Sequence, residues 1–202
     1  MEATRHGPRG HNLMNQHIVY AHGIPRDLER SRVRLDALSV GQLLLCQNPK
    51  CFLMKGLIKV SLLDRSLSLC LTKYSLLAGR LFSPPPHVAR TMLMAPDQYP
   101  YISDCNSGVL VEVEESRSVS IDQISMHRAH FPHEIGSMSV PPSYISSFHD
   151  PLKGTESIAK IKVTFLGSER GKVTHTLLSF NFVHCVVDGF SASSFILSLI
   201  HI

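Results

Sequence analysis

The sequence predicts an α/β fold, and three observations support this prediction. Apolar residues recur at spacings of three and four between Lys55 and Tyr74, which indicates an amphipathic helix. Apolar and polar residues alternate along 109–114 and along 160–184, which indicates strands. An apolar segment without charged residues follows Ser191 and indicates a second helix with Ser191 as its N-cap. Of the 202 residues, 44% are hydrophobic, which is enough to build a core.

The predicted helices and strands follow a polar N-terminal segment. Residues 1–34 are polar, with little periodicity, and predict a poorly ordered N-terminal segment; the domain itself is predicted over residues 35–202. Cys51–Met54 predicts a short buried strand. The helix that follows carries its apolar face at Val60, Leu63, Leu67, Leu71 and Tyr74. Ala78-Gly79 then allows a tight turn or a close backbone approach.

The remaining strands are predicted from alternation. In the strand around 109–114, three valines share one face and Glu112 and Glu114 share the other, so we expect a half-exposed strand. Polar Lys160, Lys162 and Thr164 alternate with apolar residues in the next strand. After a hairpin-type connection, the last strand runs to His184 and places on one face Leu178, Phe180, Phe182 and His184. Prolines at 84–86 and the Pro-, Gly- and Ser-containing stretch 131–155 predict loops.

Composition excludes several classes of function. The net charge is +4, but the basic residues are dispersed and not interleaved with aromatic residues, which argues against nucleic-acid binding. No apolar run is long enough to span a bilayer, and the N-terminus lacks the apolar core of a signal peptide. The five cysteines are scattered without a C-x-x-C pair, which favours reduced thiols in a cytoplasmic protein and no zinc site.

Two histidine-containing stretches are candidate sites. His184 stands four residues before Asp188, and Gly189 follows. An imidazole titrates near neutral pH and can accept a proton from an alcohol or amine, although a buried structural histidine is the alternative. An Asp before a turn glycine commonly binds local backbone. His127, His130 and His133 could together bind a metal, but Pro132 interrupts their spacing and no further ligands complete the set, so we expect no metal site there.

Three motifs occur in the order found in a known family. "LLAGRL" (Leu76–Leu81), "YISDCNSGVLVEVEE" (Tyr101–Glu115) and "HCVVDGFSASSF" (His184–Phe195) resemble motifs of the BAHD acyl-CoA-dependent acyltransferases. "DALSVGQ" (Asp36–Gln42) is a loose match to a fourth motif. The resemblance extends from Leu35 to Ile202. H-x-x-x-D-G alone also occurs in condensation domains, chloramphenicol acetyltransferase and carnitine acyltransferases, so the specificity comes from the order of the motifs.

The resemblance implies a fold and a chemistry. The fold would be that of CoA-dependent acyltransferases (chloramphenicol acetyltransferase-like), here an N-terminal domain with a mixed sheet and flanking helices. His184 and Asp188 match the catalytic motif: His184 would be the general base, and Asp188 a mainly structural residue turned towards an arginine. Gly189 matches the glycine of the loop beside the channel. Acyl-CoA would be the cosubstrate, with no bound cofactor, and the acceptor a small-molecule alcohol or amine. CoA-binding residues are not assigned.

The sequence also departs from the family. The family carries a second motif, D-F-G-W-G, in a C-terminal domain, whereas this sequence has no Trp and no such string. We therefore expect an incomplete N-terminal half, inactive or impaired alone unless a second chain completes the channel. A noncatalytic fragment or partner-binding half-domain is the alternative function. Condensation domains usually have a second His directly before the motif histidine, and Val183 at that position disfavours them.

Overall fold

A computed structural model describes residues 14–26, 28–35, 50–82, 100–121, 153–167 and 172–201. The strands in these ranges are β1 (Met14–Val19), β2 (Ser31–Arg34), β3 (Lys50–Lys55), β4 (Arg80–Phe82), β5 (Tyr101–Asp104), β6 (Val109–Ser120), β7 (Lys153–Ser157), β8 (Ala159–Gly167) and β9 (Val173–Phe182). The helices are α1 (Val60–Lys73) and α2 (Gly189–His201), and a 3-10 turn spans Ser75–Ala78. Neither helix is long and apolar enough to cross a membrane.

The described strands form two sheets. The larger sheet has the order β1-β6-β8-β9-β3, and it is mixed because β6 and β8 pair in parallel while its other neighbours pair antiparallel. The smaller sheet has the order β2-β5-β4-β7, with antiparallel pairs throughout. The β8–β9 pair confirms the predicted hairpin, whose connecting residues 168–171 lie outside the described part.

Both helices pack on one face of the larger sheet. Helix α1 buries Leu63, Leu67 and Leu71, so the predicted apolar face is confirmed, and α2 buries Phe195 and Leu199. Their partners on the sheet include Val109, Val111, Ile161, Val163, Leu178, Phe180 and Phe182. Burying one such side chain stabilises the fold by roughly 1.5–3 kcal/mol. The alternation predicted for β6, β8 and β9 is therefore correct for this face.

The opposite face of the sheet is polar yet buried, whereas a half-exposed strand was predicted around 109–114. Glu112 is 0% exposed, and Gln16 Nε2 donates to its Oε1 at 2.7 Å. Lys162 is 3% exposed and pairs with Glu114 at 2.8 Å, and Lys160 is equally buried. The alternation correctly assigns these residues to one face. Exposure was predicted wrongly because the alternation does not show the partners of these charges. Gln16 donates to Glu112 from 96 residues away, Lys162 pairs with Glu114 of a neighbouring strand, and Lys160 pairs with Glu156.

The N-terminal region is more ordered than predicted. Residues 1–34 were expected to be poorly ordered, but β1 and β2 lie within them, so the prediction is wrong for 14–19 and 31–34. Strand β1 has little apolar alternation of its own and is held by its antiparallel pairing with β6. Strand β2 pairs in the same way with β5. Residues 1–13 lie outside the described part.

The environment of one strand and the start of one helix also differ from the predictions. Strand β3 was expected to be buried, but it is an edge strand of the described sheet, with Phe52 40% exposed. Helix α1 begins at Val60 instead of Lys55, because Lys55 ends β3 and Gly56 follows in a left-handed conformation (φ 101°). Residues Asp36–Gln42, the prolines at 84–86 and most of the loop predicted at 131–155 lie outside the described part.

Candidate active site

His184 lies in a turn and not on the last strand. Strand β9 ends at Phe182, Val183 N–H donates to Ile158 O at 3.0 Å, and Val186 N–H donates back to Val183 O at 3.0 Å. The prediction that His184 continues the apolar face of the strand is therefore wrong, because the chain turns immediately after Val183. Phe180 and Phe182 do share a face, with parallel stacked rings 6.3 Å apart.

The His184 imidazole has an unusual environment. The residue is half-buried, and its Nδ1 is a buried nitrogen without a hydrogen-bond partner in the described part of the chain. A buried polar atom left unpaired costs free energy, and such atoms are uncommon enough in native proteins to need an explanation. A role in catalysis is one of the explanations that account for such an atom.

Asp188 does not bind His184. Its side chain is exposed, and its Oδ1 accepts a hydrogen bond from Ser191 N–H at 2.7 Å, while its carbonyl accepts from Ala192 N–H at 2.9 Å. Asp188 is therefore the N-cap of α2, and the prediction that Ser191 is the N-cap is wrong. The hydrogen bond from Ser191 is the main cause of a lowered Asp188 pKa; the nearby His184 contributes least. No arginine pairs with Asp188 among the described residues.

Gly189 and Cys185 flank these groups. Gly189 is the first residue of α2, and a side chain built there meets no atom of the described chain within 4 Å. Cys185 is 6% exposed, and burial raises the pKa of its thiol to about 12. The thiol therefore stays protonated at neutral pH and is no candidate nucleophile.

The end of the larger sheet determines which segments surround His184. Val19 pairs with Val109, and Ala159 pairs with Phe182, so β1 and β9 end where β6 and β8 begin. Helix α1 also ends nearby, because Tyr74, just after it, packs edge-on against Phe195 of α2. The turns after β1 and β9 and before β6 therefore lie at one end of the sheet.

The other two motifs build this end of the sheet. Arg80 Nη1 donates to Gly108 O at 2.9 Å and its Nη2 donates to Ser107 O at 2.7 Å, which ties "LLAGRL" to "DCNSG". A Cβ at Gly79 would lie 2.5 Å from Ser103 O, so the close backbone approach predicted at Ala78-Gly79 is present. Asn106 adopts φ 44° and is 1% exposed. Local sequence patterns do not predict these bonds, since the bonded groups lie in separate segments of the chain.

A cavity of about 370 Å³ lies against the turn that carries His184. Lys73, Tyr74, Ser75, Leu76, Leu77, Val186, Val187 and Ser191 line it. Its walls are mostly apolar, with one ammonium group from Lys73. No group of three or more His, Cys, Asp or Glu side chains suited to a metal occurs among the described residues. His127, His130 and His133 lie outside the described part.

Comparison with known proteins identifies the fold. No protein-family profile and no curated protein sequence matches the chain. The crystal structure of vinorine synthase matches with a TM-score of 0.59 and 17% identity, over 92% of this chain and 40% of that chain. F. sporotrichioides TRI101, complexed with coenzyme A and T-2, matches with a TM-score of 0.59 and 16% identity, over 83% and 37%. The condensation domain of the Monacolin K polyketide synthase MokA matches with a TM-score of 0.55 and 11% identity, over 85% and 34%.

These structural neighbours are BAHD acyltransferases and condensation-domain relatives. The chain therefore has the mixed α/β fold of the CoA-dependent acyltransferases, and the predicted fold class is confirmed. The chain spans 40% of the length of vinorine synthase and 37% of that of TRI101. At these identities the similarity defines the fold, and the activity has to be argued from the site.

Proposed function

We propose that the chain is an acyltransferase domain that moves an acyl group from acyl-CoA to a hydroxyl or amine, with His184 as the general base. The observation that carries this proposal is the half-buried His184 in the turn after β9, whose buried Nδ1 has no hydrogen-bond partner within the described ranges. The fold supports it, and so does the TRI101 structure, whose complex contains coenzyme A. The domain would belong to the BAHD type.

In the proposed reaction, the proton of His184 resides on Nδ1 and the lone pair of Nε2 accepts a proton from the acceptor. As that proton leaves, the acceptor oxygen or nitrogen bonds to the thioester carbonyl carbon, and the C–S bond breaks. His184 then returns the proton to the departing CoA thiolate. The cavity of about 370 Å³ is lined by Val186 and Val187 of the same turn, and His184 itself is not among its lining residues, so in this proposal it receives a part of the substrate away from the reacting atoms.

Asp188 and Gly189 have supporting roles in this proposal. Asp188 caps α2 and fixes the turn through Ser191, so it positions His184 without touching substrate. Gly189 leaves open space beside the turn, where a side chain would project. In this proposal, the second half of the channel corresponds to the part of the vinorine synthase and TRI101 chains that this chain does not match.

The test is release of CoA from several acyl-CoAs by the purified chain. We expect His184→Ala to lower the rate by about 10²–10⁴-fold, the usual contribution of a general base. His175→Ala is the matched control, since His175 is also a half-buried histidine but lies near the start of β9, at the opposite end of the strand from the turn that carries His184. Equal rates for His184→Ala and the unmodified chain would refute the assigned role.

A second candidate function is a noncatalytic domain that binds a second copy of the chain through α2. The observation favouring it is a stripe of exposed apolar side chains: Phe190 is 81% exposed, Leu197 56% and Ile200 62%. These residues recur at spacings of seven and three and share one side of the helix. Helix α2 contains no Asp, Glu, Lys or Arg, so two copies can pack these faces together without like-charge repulsion.

Light scattering across a concentration series tests this function. We expect the mass to exceed the 22.5 kDa of one chain, and Leu197→Ser to return it to that value. Leu62→Ser, the same change at a leucine of α1 that is 57% exposed and lies outside this stripe, is the control and should leave the mass unchanged. A chain that is monomeric at every concentration would exclude self-association as its function.

A further inference from the structure

A second concave site lies between the turn that follows β1 and the middle of α1. The cavity measures about 510 Å³ and is lined on one side by Tyr20 and Arg26 of the turn and on the other by Asp64, Arg65 and Ser68 of α1. This volume is within the range of small-molecule sites. None of its residues belongs to the H-x-x-x-D-G turn.

The charges in this cavity are unbalanced. Arg26 and Arg65 form no ion pair with any carboxylate of the described chain. Asp64 is the acidic residue in the lining, and its Oδ1 accepts a hydrogen bond from His17 Nε2 at 2.9 Å. Its carboxylate is thus bound to an imidazole, and the two guanidinium groups remain available. His22 adds another imidazole to the lining.

The walls of the cavity are fixed by hydrogen bonds. His22 N–H donates to Ser68 O at 3.0 Å, and Ser68 Oγ donates to Tyr20 O at 2.7 Å, which joins the turn to α1. The buried Asn106 accepts from Ala21 N–H at 2.8 Å and holds the turn from the other side. The Arg26 guanidinium lies over the Tyr20 ring, 4.0 Å from its centroid, which restricts its position. The turn and the Arg26 side chain are therefore held in place, which lowers the entropy cost of binding.

We propose that this cavity binds the phosphoryl group of a small organic molecule. Guanidinium groups present paired N–H donors that match phosphate oxygens, and two arginines without a carboxylate partner among the described residues balance a dianion better than a single carboxylate does. The volume exceeds what a phosphate alone requires, and Ile18 and Ile24 in the lining supply apolar surface for the rest of the ligand. This inference does not depend on acyl transfer at His184.

Isothermal titration of the full chain with inorganic phosphate at low ionic strength tests the proposal. We expect phosphate to bind, and Arg65→Gln and Arg26→Gln each to weaken binding about tenfold, because each removes a charge-assisted hydrogen bond. The double variant should weaken binding about a hundredfold. Acetate should bind much more weakly than phosphate.

Two further variants separate specific from nonspecific effects. Arg32→Gln removes the same charge from an exposed arginine that pairs with Glu29 outside the cavity, so we expect binding to change by less than about twofold. His184→Ala should bind phosphate as the unmodified chain does, whatever its effect on CoA release. The proposal is overturned if the unmodified chain binds no phosphate at millimolar concentration. Equal weakening by Arg32→Gln and Arg65→Gln, or equal affinity for acetate and phosphate, also overturns it.

Discussion

Asn106→Ala is the substitution whose effect on stability the structure defines best. The Asn106 side chain is 1% exposed, its Oδ1 accepts from Ala21 N–H at 2.8 Å, and its Nδ2 donates to Ile24 O at 2.8 Å. Its backbone adopts φ 44°, a left-handed conformation that Asn tolerates better than Ala does. One side chain thus connects the turn after β1 to the segment before β6.

The magnitude has two parts. Alanine leaves Ala21 N–H and Ile24 C=O without their partners, and each unpaired buried group costs about 1–2 kcal/mol at this degree of burial. Alanine at a positive φ adds about 1 kcal/mol. We therefore expect Asn106→Ala to lower the free energy of unfolding by about 3–5 kcal/mol. Asn106→Gly relieves the backbone strain but not the lost hydrogen bonds, so it should be less destabilising by about 1 kcal/mol.

Urea denaturation of the two variants measures these free energies, and amide hydrogen exchange at Ala21 gives a local measure. We expect the Ala21 amide to exchange faster in both variants. Asn15→Ala is the matched control: it is the same change at an exposed residue of β1 and should alter stability by less than about 0.5 kcal/mol. A loss below 1 kcal/mol for Asn106→Ala would refute the bonding argument. Equal losses for the Ala and Gly variants would refute the strain argument.

Three further predictions concern α2 and its preceding turn. Asp188→Asn should retain the cap whereas Asp188→Ala should lose it. The pKa of Asp188 is lowered in the folded state, so the contribution of its carboxylate to stability is present above pH about 4 and is lost as pH falls through the folded pKa. Asp188→Asn has no carboxylate to protonate, so below pH 4 its urea midpoint should change less with pH than that of the unmodified chain. The same acid profile in both proteins would contradict this. Cys185, with a pKa near 12, should resist iodoacetamide at pH 8 until urea unfolds the chain, and rapid labelling of the native chain would disprove its burial. Phe195→Ala should lower the free energy of unfolding by about 3–5 kcal/mol, because it removes a fully buried ring packed on Tyr74. Phe190→Ala, at an 81% exposed position, should lower it by less than about 0.5 kcal/mol. Similar urea midpoints for the two variants would be inconsistent with this packing.

Local periodicity predicted those elements whose buried face is marked by a regular apolar pattern within the segment itself. Helix α1 and the apolar sides of β6, β8 and β9 follow from spacing alone, because burial of a regular stripe is encoded within each segment. Strand β1 could not be found in this way, since its stability comes from pairing with β6, almost 100 residues away. The buried Glu112 likewise accepts a hydrogen bond from Gln16, a partner that no local pattern reveals.

The candidate site was predicted at the level of residue identity but not of geometry. The order of the motifs singled out His184 and Asp188, yet alternation placed His184 on a strand that in fact ends at Phe182. Alternation holds only while the backbone remains extended, and nothing in "NFVHCVV" marks the residue at which it turns. The cavity beside α1 was not predicted at all, because its cations come from segments that are about 40 residues apart.

The three motifs have different roles in the structure: two of them fix one end of the larger sheet, and the third carries His184. Arg80 and Gly79 of the first motif, and Asn106 and Gly108 of the second, make backbone contacts that fix one end of the sheet. Residues of this kind are required by the fold whether or not the protein is an enzyme, so their presence supports the fold and not the activity. His184 differs, because its buried Nδ1 has no hydrogen-bond partner among the described residues. Substitution of His184 is therefore the test of activity. Substitutions in the other two motifs are expected to lower the stability of the fold before they affect any reaction.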